Sequence, residues 1–414
     1  MKILLINQPC NNRGDESAHK GLMRTLLKEM PDAEVKVLLD RAKEDAVEQM
    51  RVKHPRVEYL SYFIRPIHNG YVRVCHLALK LDALWMCEPY PAFQEKKKSF
   101  QWADLILSAP GGMSMGGFQN WIHVFNLYIA KYLKKPLAYY GRSIGPFPTA
   151  TRANRIFKKA SYRIMRYFSY FSLRDHKSIE IAKSMGINNV ISVVDSAFLE
   201  SPKVEIPRDV KMQIGGKPYF VFVPNLLIWH PAFKGRIERD VIIQFYCDAL
   251  DVLFRVYPGC WAVMLPQTCC GSFNDNDINL FKEIAAKKND GKEIVVSDQY
   301  CSDVQQSIIA DAKLMVGSRY HSIVFALNNA TPFVSLSYEH KMSGLLETLG
   351  KTDCMVNIEH VLETEEGRTD VLRQLKDRAQ HAYRDEAAKI KAKQMARAGF
   401  DKFLKEYIPT IASK

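Results

Sequence analysis

The chain has 414 residues, more than one hydrophobic core usually serves, so two domains of roughly 150–200 residues each are expected. Hydrophobic residues at 47% and charged ones at 25% exclude a chain dominated by disorder. Lys and Arg outnumber Asp and Glu by 58 to 45, and the resulting +13 favours an acidic partner: a phosphorylated substrate, an anionic membrane or a nucleic acid.

Short apolar runs bounded by turn residues alternate with segments of helical period, the pattern of an α/β protein with mostly parallel sheets. In chain order, strands are predicted at 2–7, 34–39, 104–109, 137–140, 170–173 and 190–194. Helices fall at 16–29, 121–133 and 177–185, giving a Rossmann-like half over 1–199. Pro202, Pro207, Gly215 and Gly216 then break the rhythm, and 200–217 reads as a linker. Alternation resumes over 218–365, with strands at 219–223, 261–265, 294–296, 314–316 and 333–336 and a helix at 237–256, a second Rossmann-like half. Residues 366–414 read as one or two amphipathic helices, with Gly399 the breaker within 369–407, and are expected to pack back on the N-terminal domain. Two such halves are expected to face each other across a cleft, with ligand residues at the C-terminal ends of the strands.

No apolar run approaches the ~18 residues of a membrane span, and residues 3–6 are too short for a secretory core. None of the nine cysteines forms a Cys-x-x-Cys pair, and Cys269 and Cys270 are adjacent, so a soluble protein of the reducing cytoplasm is expected. The eleven histidines show no metal-ligand spacing, and neither a metal nor a cofactor is expected.

Chemistry collects where strands end. Pro9-Cys10-Asn11-Asn12-Arg13-Gly14-Asp15 brings backbone N–H groups, Asn side chains and a helix start together, a phosphate or sugar contact. Asp15 there is either a helix N-cap or a group that orients or deprotonates an acceptor hydroxyl. With no Walker lysine and no Gly-x-Gly-x-x-Gly, a triphosphate or dinucleotide is poorly supported. Ala109-Pro110-Gly111-Gly112-Met113-Ser114 is a turn whose paired glycines admit a ligand close to the backbone. Gly141-Arg142-Ser143-Ile144-Gly145-Pro146 adds a cation and a hydroxyl, Ser172-Leu173-Arg174-Asp175 sets an arginine beside an N-cap, and Asp195-Ser196-Ala197 closes the half. In the second half, Gly317-Ser318-Arg319-Tyr320-His321 places an arginine and a histidine two residues apart where strand gives way to helix, either an anion site with a proton donor or an arginine paired with a surface carboxylate beside a histidine that merely begins a helix.

The order of these motifs, completed by Pro332, Tyr338 and Lys341, resembles the polysaccharide pyruvyl transferase family over about residues 3–350, and the Asn-Arg-Gly-Asp start is most similar to its colanic-acid type. The resemblance implies transfer of pyruvate from phosphoenolpyruvate, as donor substrate, to two hydroxyls of a sugar as a cyclic ketal, on a GT-B-like scaffold. It makes Arg174 and Arg319 the candidate clamps for the donor anions, Arg being suited by its planar fork. Ser318, Ser143, Arg142, Gly111, Gly112, Asn12 and Lys341 become further substrate contacts. Protonation of the donor methylene needs an acid titrating near neutrality, which points to His321, with Asp15 for the acceptor hydroxyl. Two departures stand out: Pro9 replaces a common glycine, and Arg142 replaces a common uncharged residue.

Other readings compete. A nucleotide-sugar glycosyltransferase of the same architecture has the eight-residue spacing of Glu339 and Glu347 in its favour. Nucleic-acid binding rests on charge alone, without aromatics interleaved on a basic surface, and no nucleic-acid partner is expected. The positive charge suits instead the inner face of the cytoplasmic membrane, where an oligosaccharide acceptor on a polyprenyl diphosphate would lie. Residues 71–84, with Arg73, His76 and Lys80, are a candidate for peripheral membrane contact or acceptor grip, or a plain cover for the sheet. Acceptor choice is expected in loops 54–70 and 225–236, where Trp229 and His230 suit a sugar ring.

Overall fold

The computed structural model describes residues 1–40, 44–62, 69–230, 232–269 and 276–412. The chain divides into two compact units, Met1–Cys10 with Ala18–Leu199 and Met395–Lys414, and Asn11–Ser17 with Glu200–Gln394. The fold class is α/β.

The first unit is built on eight strands: β1 (Lys2–Ile6), β2 (Glu34–Asp40), β3 (Val57–Tyr62), β4 (Leu105–Ser108), β5 (Gly111–Met115), β6 (Leu137–Ile144), β7 (Tyr170–Leu173) and β8 (Ile191–Ser192). They run parallel in the order β3-β2-β1-β4-β6-β7-β8, with β5 beside β6, so the order reverses between β1 and β4. Alternation along β1 sends Leu4 and Ile6 into one core and Ile3 and Leu5 into the other, as a sheet covered on both faces requires. The covering helices are α1 (Arg13–Glu29), α2 (Glu44–Met50), α3 (Asn69–Leu81), α4 (Pro91–Trp102), α5 (Trp121–Tyr132), α6 (Arg152–Met165) and α7 (His176–Ser184).

The second unit has six parallel strands, β9 (Tyr219–Val223), β10 (Trp261–Met264), β11 (Glu293–Val295), β12 (Met315–Gly317), β13 (Phe333–Ser337) and β14 (Met355–Asn357). Their order is β11-β10-β9-β12-β13-β14, the doubly wound arrangement, with its reversal between β9 and β12. Between and after them come α8 (Arg208–Ile214), α9 (Arg239–Val256), α10 (Asp277–Lys288), α11 (Ser302–Ala310), α12 (Tyr320–Asn328), α13 (His340–Leu349) and α14 (Glu365–His381); the end of α15 (Glu386–Asp401) and α16 (Ile408–Ala412) belong to the first unit.

Four sequence expectations change. The stretch 200–217 contains α8, closed by Gly215 in the left-handed conformation. Gly111 and Gly112 open a strand rather than a turn. Loop 54–70 contains β3, and its residues 63–68 lie outside the described ones. Gly399 does not break α15: a Cβ there would come within 2.7 Å of Val193 Cγ1, so the glycine lets the helix pack closely on that side chain. Just beyond, Phe403 packs edge-on against Tyr140 and Tyr170, and Tyr407 packs tilted against Tyr170, in the first unit's core.

Candidate functional site

Each unit has a crevice where its strand order reverses, and in each the sequence supplies an arginine. In the first unit, Arg142 comes from β6 and is buried. Its Nη1 donates to the carbonyls of Asn7 (3.0 Å) and Ala109 (2.9 Å), the residues just past β1 and β4, and its Nη2 donates to Ser114 Oγ (2.8 Å). The guanidinium therefore ties together the strand ends that would otherwise line the crevice. Arg174 follows β7; its Nη1 pairs with the buried Asp195 carboxylate and its Nε donates to Ser143 Oγ (3.1 Å). Asp195 also accepts from Ala197 N (2.9 Å), and Asp175 caps α7 through Ser178 N (2.8 Å). The roles of Arg142, Arg174 and Ser143 as substrate contacts thus meet a structure in which all three are buried and engaged with the protein itself. Burial also keeps two imidazoles of this unit neutral: His19 is pushed down to about 3 and His123 well below its ordinary value.

The second unit's crevice is built differently. Ser318 closes β12, its N–H donating to Val223 O (3.0 Å) at the end of β9 and its hydroxyl meeting Tyr246 Oη (3.2 Å). Tyr246 in turn donates to Asn225 O (2.9 Å), and Asn225 Nδ2 donates to Tyr338 Oη (2.8 Å), so hydroxyls and an amide link β9, β12 and β13 at their C-terminal ends. Gly317 is required here: a Cβ would fall 2.2 Å from Ser322 Oγ, which accepts no such intrusion while donating to Arg319 O (2.6 Å).

Arg319 is the N-cap of α12 and Glu339 that of α13, and neither helix has a side-chain cap. Because β12 and β13 are neighbours, the two helix N-termini open side by side at the C-terminal end of the strands, where their positive ends favour anions. Arg319 pairs with Asp277, whose second oxygen accepts from Gln267 N (2.9 Å) and Thr268 N (2.8 Å) after β10. Lys341, in the first turn of α13, pairs with Glu339 at 2.7 Å and lies 5.9 Å from the Tyr320 ring. Burial alone would raise the Glu339 carboxyl, but Lys341, His230 and His340 outweigh it and hold it below the ordinary carboxylate value. His230 packs edge-on to Tyr338 at 5.0 Å, and burial lowers its pKa.

The segment Asn11–Ser17 belongs to this unit and completes the crevice. Asn12 is the cap: its Oδ1 accepts from Gly14 N (2.7 Å), while Arg13 N donates to Gln267 O (2.8 Å). The N–H groups expected to hold a phosphate at this turn are therefore largely used within the protein, and Asp15, which lies in the first turn of α1, is not the cap. Arg13 is buried, joining Glu16 (2.7 Å) and Asp298 O (2.7 Å), and Glu16 caps α11 through Ser302 N (2.8 Å). His321 lies directly over Gly14, so closely that a Cβ at 14 would sit 1.8 Å from the imidazole Cγ and Nδ1. Tyr320 flanks the imidazole edge-on at 5.0 Å.

Structure thus brings His321, Arg319, Ser318, Lys341, Asn12 and Asp15 into one unit and Arg142, Arg174, Ser143, Gly111 and Gly112 into the other. Asp277, Glu16 and Ser302 were not visible as site residues in the sequence, since their partners lie 42 and 286 positions away. Glu347 is exposed on α13 whereas Glu339 is half-buried at its start and paired with Lys341, so the eight-residue glutamate spacing does not put two carboxylates in one environment. Among the described residues no group of three or more His, Cys, Asp or Glu is arranged to hold a metal ion, and no helix is long and apolar enough to cross a membrane.

Comparison with known proteins adds three findings. The family model described as polysaccharide pyruvyl transferase matches residues 12–340. The amylovoran biosynthesis protein AmsJ of Erwinia amylovora is 24% identical, over 88% of this chain and 89% of its own length. Among solved structures, the UDP-GlcNAc 2-epimerase of Neisseria meningitidis bound to UDP-GlcNAc aligns with a TM-score of 0.57 at 12% identity, covering 97% of this chain and 100% of that one. A UGT transferase of Siraitia grosvenorii in complex with UDP aligns at 0.53 and 12% identity, covering 98% and 99%. These likenesses establish a GT-B-like fold.

Proposed function

Because the chain belongs to the polysaccharide pyruvyl transferase family, we propose that its pyruvyl donor is phosphoenolpyruvate and its product a cyclic ketal on a sugar of a bacterial surface polysaccharide or of its lipid-linked precursor. The relative that acts in amylovoran biosynthesis supports an exopolysaccharide setting. The observation that carries the reading is the second unit's crevice: an arginine, a lysine and two helix N-termini without side-chain caps, beside a histidine laid over Gly14. Phosphoenolpyruvate has a carboxylate and a phosphate on three carbons, and such a collection of positive ends suits it.

In this reading Arg319, Lys341 and the N-termini of α12 and α13 hold the donor anions. His321, as imidazolium, gives its proton to the methylene carbon, and C2 becomes cationic and takes the first sugar hydroxyl. The C–O bond to phosphate then breaks and the second hydroxyl closes the ketal. One hydroxyl proton reloads His321 and the other leaves with phosphate, so atoms and charge balance without an oxidant or a metal. Asp15, half-buried on α1, is assigned to the acceptor hydroxyl. Arg174 and Arg142, neutralised or capped within the first unit, are assigned to holding its strand ends. The site of action is the cytoplasmic side of the membrane, on an oligosaccharide carried by polyprenyl diphosphate.

The test is incubation with phosphoenolpyruvate and candidate free or lipid-linked oligosaccharides, read by mass spectrometry and phosphate release. A mass gain of pyruvate less one water, with stoichiometric phosphate, is expected. The UDP-bound neighbours leave nucleotide binding as the competing outcome: tight UDP binding with no pyruvyl product would overturn the donor assignment.

A further inference from the structure

The first unit carries a surface that its own chemistry leaves unexplained. On α3, Leu77 and Leu81 are one helical turn apart and 40% and 56% exposed. The short helix Leu84–Cys87 follows, with Leu84 and Cys87 buried and Trp85 65% exposed. Phe118, 58% exposed, lies three residues before Trp121, whose ring meets His76 of α3 at 4.9 Å. Three large exposed apolar side chains therefore lie on or just after one helix, and Phe118 shortly precedes a residue in contact with it. Scattered exposed apolar residues need no explanation, but a contiguous group does.

Beside it runs a row of positive charge. Arg155, Lys159 and Arg163 recur at helical spacing along α6, with Arg152 and Arg166 extending the row at either end. Arg163 fixes where the row lies: its Nη2 donates to the carbonyls of Leu79 (2.6 Å) and Lys80 (3.0 Å), the last turn of α3. Arg73 and Lys80 on α3 itself are exposed. Of the acids close by in the chain, Asp82 is paired with Lys131 and Glu88 with Lys97. Apolar side chains next to unbalanced positive charge are the two features that an interfacial protein uses toward acidic lipid.

We propose that this face of the first unit, formed by α3, the short helix after it and the exposed side of α6, docks on an anionic phospholipid membrane. Trp85, Leu81, Leu77 and Phe118 enter the interfacial layer, and the α6 row meets the headgroups. The charge sign selects acidic over zwitterionic lipid, and the aromatic ring of Trp85 suits the headgroup boundary. This inference rests on the surface alone and stands apart from the donor assignment.

The experiment is co-sedimentation of the full chain with vesicles of phosphatidylcholine alone and of phosphatidylcholine mixed with phosphatidylglycerol. Binding is expected only to the mixed vesicles and should weaken with added salt. The double variants Trp85→Ser with Leu81→Gln, and Arg155→Glu with Lys159→Glu, alter exposed residues, and an unchanged melting temperature confirms that they fold. Each positive charge lost should cost about fivefold in partitioning, and each reversal to Glu at least that. Sedimentation retained in full by both variants, or equal binding to both vesicle types, overturns the proposal. So does a concentration-dependent self-association, seen by analytical ultracentrifugation, that Trp85→Ser abolishes, because the face is then an interface between copies. Pyruvyl transfer to a soluble acceptor should be unaffected in these variants, which keeps failure here distinct from failure of the reaction.

Discussion

The two sheets reverse their strand order in the same way, yet they treat the crevice at the reversal in opposite fashions. In the first unit Arg142 enters it and donates to the carbonyls past β1 and β4, while Arg174 is neutralised by Asp195. In the second, the residues past β9 and β12 are Asn225, Ser318 and Arg319, and two helices without side-chain caps open there beside His321. An arginine after a strand is therefore not in itself a ligand contact. Arg319 is itself paired with the buried Asp277, as Arg174 is with Asp195, so what separates the two cases is the pair of helix starts without side-chain caps and the histidine beside them.

The comparison is broken most directly at His321. Replacement by Ala should lower turnover by about 10²–10⁴-fold, the usual scale for a general acid, with the donor KM changed far less. Steady-state kinetics with phosphoenolpyruvate and an acceptor found by the mass-spectrometric screen measure this. Full turnover in the variant would remove the imidazole from the chemistry and leave the second crevice no more active than the first.

Arg174→Ala probes the other side. If the first unit's arginines are structural, the variant leaves Asp195 buried and uncompensated, and stability should fall by about 3–5 kcal/mol. Replacing the pair together, Arg174→Met with Asp195→Leu, should recover most of the loss in denaturant melts. A single variant that melts normally but loses donor affinity would restore the clamp assigned from sequence.

Much of this architecture was legible in advance, for a physical reason. Parallel strands covered on both faces must be apolar throughout, so Ile3 to Ile6 and Phe220 to Val223 announce themselves as short runs. β3 was missed because Val57-Glu58-Tyr59-Leu60-Ser61-Tyr62 carries polar residues at a sheet edge, and β5 because Gly111-Gly112-Met113-Ser114-Met115 has the composition of a turn. The Ser318 to His321 motif was also legible, since strand, cation and helix start are contiguous. Its supports were not: Asp277 reads as one more acid at a helix start, and nothing local says that its carboxylate meets Arg319. Nor does the sequence say that Asn11–Ser17 groups with residues some two hundred positions away or more.

Gly14 is where that long-range grouping becomes testable. A methyl group at 14 cannot coexist with the imidazole 1.8 Å away, so in Gly14→Ala either His321 or the first turn of α1 must move. A displacement of about 1 Å in a reacting group costs on the order of 10²-fold in rate, so kcat should fall while KM for the donor moves little. Wild-type kcat in this variant would mean that the packing of His321 on Gly14 is irrelevant to the reaction.

Acid should also separate the units. His19, held down to about 3 by burial, and His123, held well below 6.5, both belong to the first unit. Between the unfolded value and the folded one the unfolded chain binds more protons, so stability falls as pH drops below 6.5, by up to about 1.4 kcal/mol per unit for each group. In the second unit His230 works in the same direction, but Glu293 is raised to about 7 and binds its proton more tightly when folded, which adds stability on acidification. Hydrogen-exchange protection factors compared at about pH 7.5 and about pH 5.5 should drop more in the first unit than in the second. Equal losses would show that the buried imidazoles do not set the difference.

The smallest expected effect is at Gly112, and it sharpens the comparison because it asks whether the first unit's glycines serve a ligand at all. Gly111 has φ 149°, which a side chain rarely adopts, whereas a Cβ added at Gly112 meets nothing within 4 Å. Gly112→Ala should therefore leave the melting temperature unchanged to within about 0.5 kcal/mol of stability. With folding neutral, the kinetics isolate a single cause. An unchanged KM for both substrates assigns the paired glycines to β5 and its packing, while a rise in acceptor KM with donor KM constant would put the acceptor sugar against this strand and give the first unit a binding role of its own.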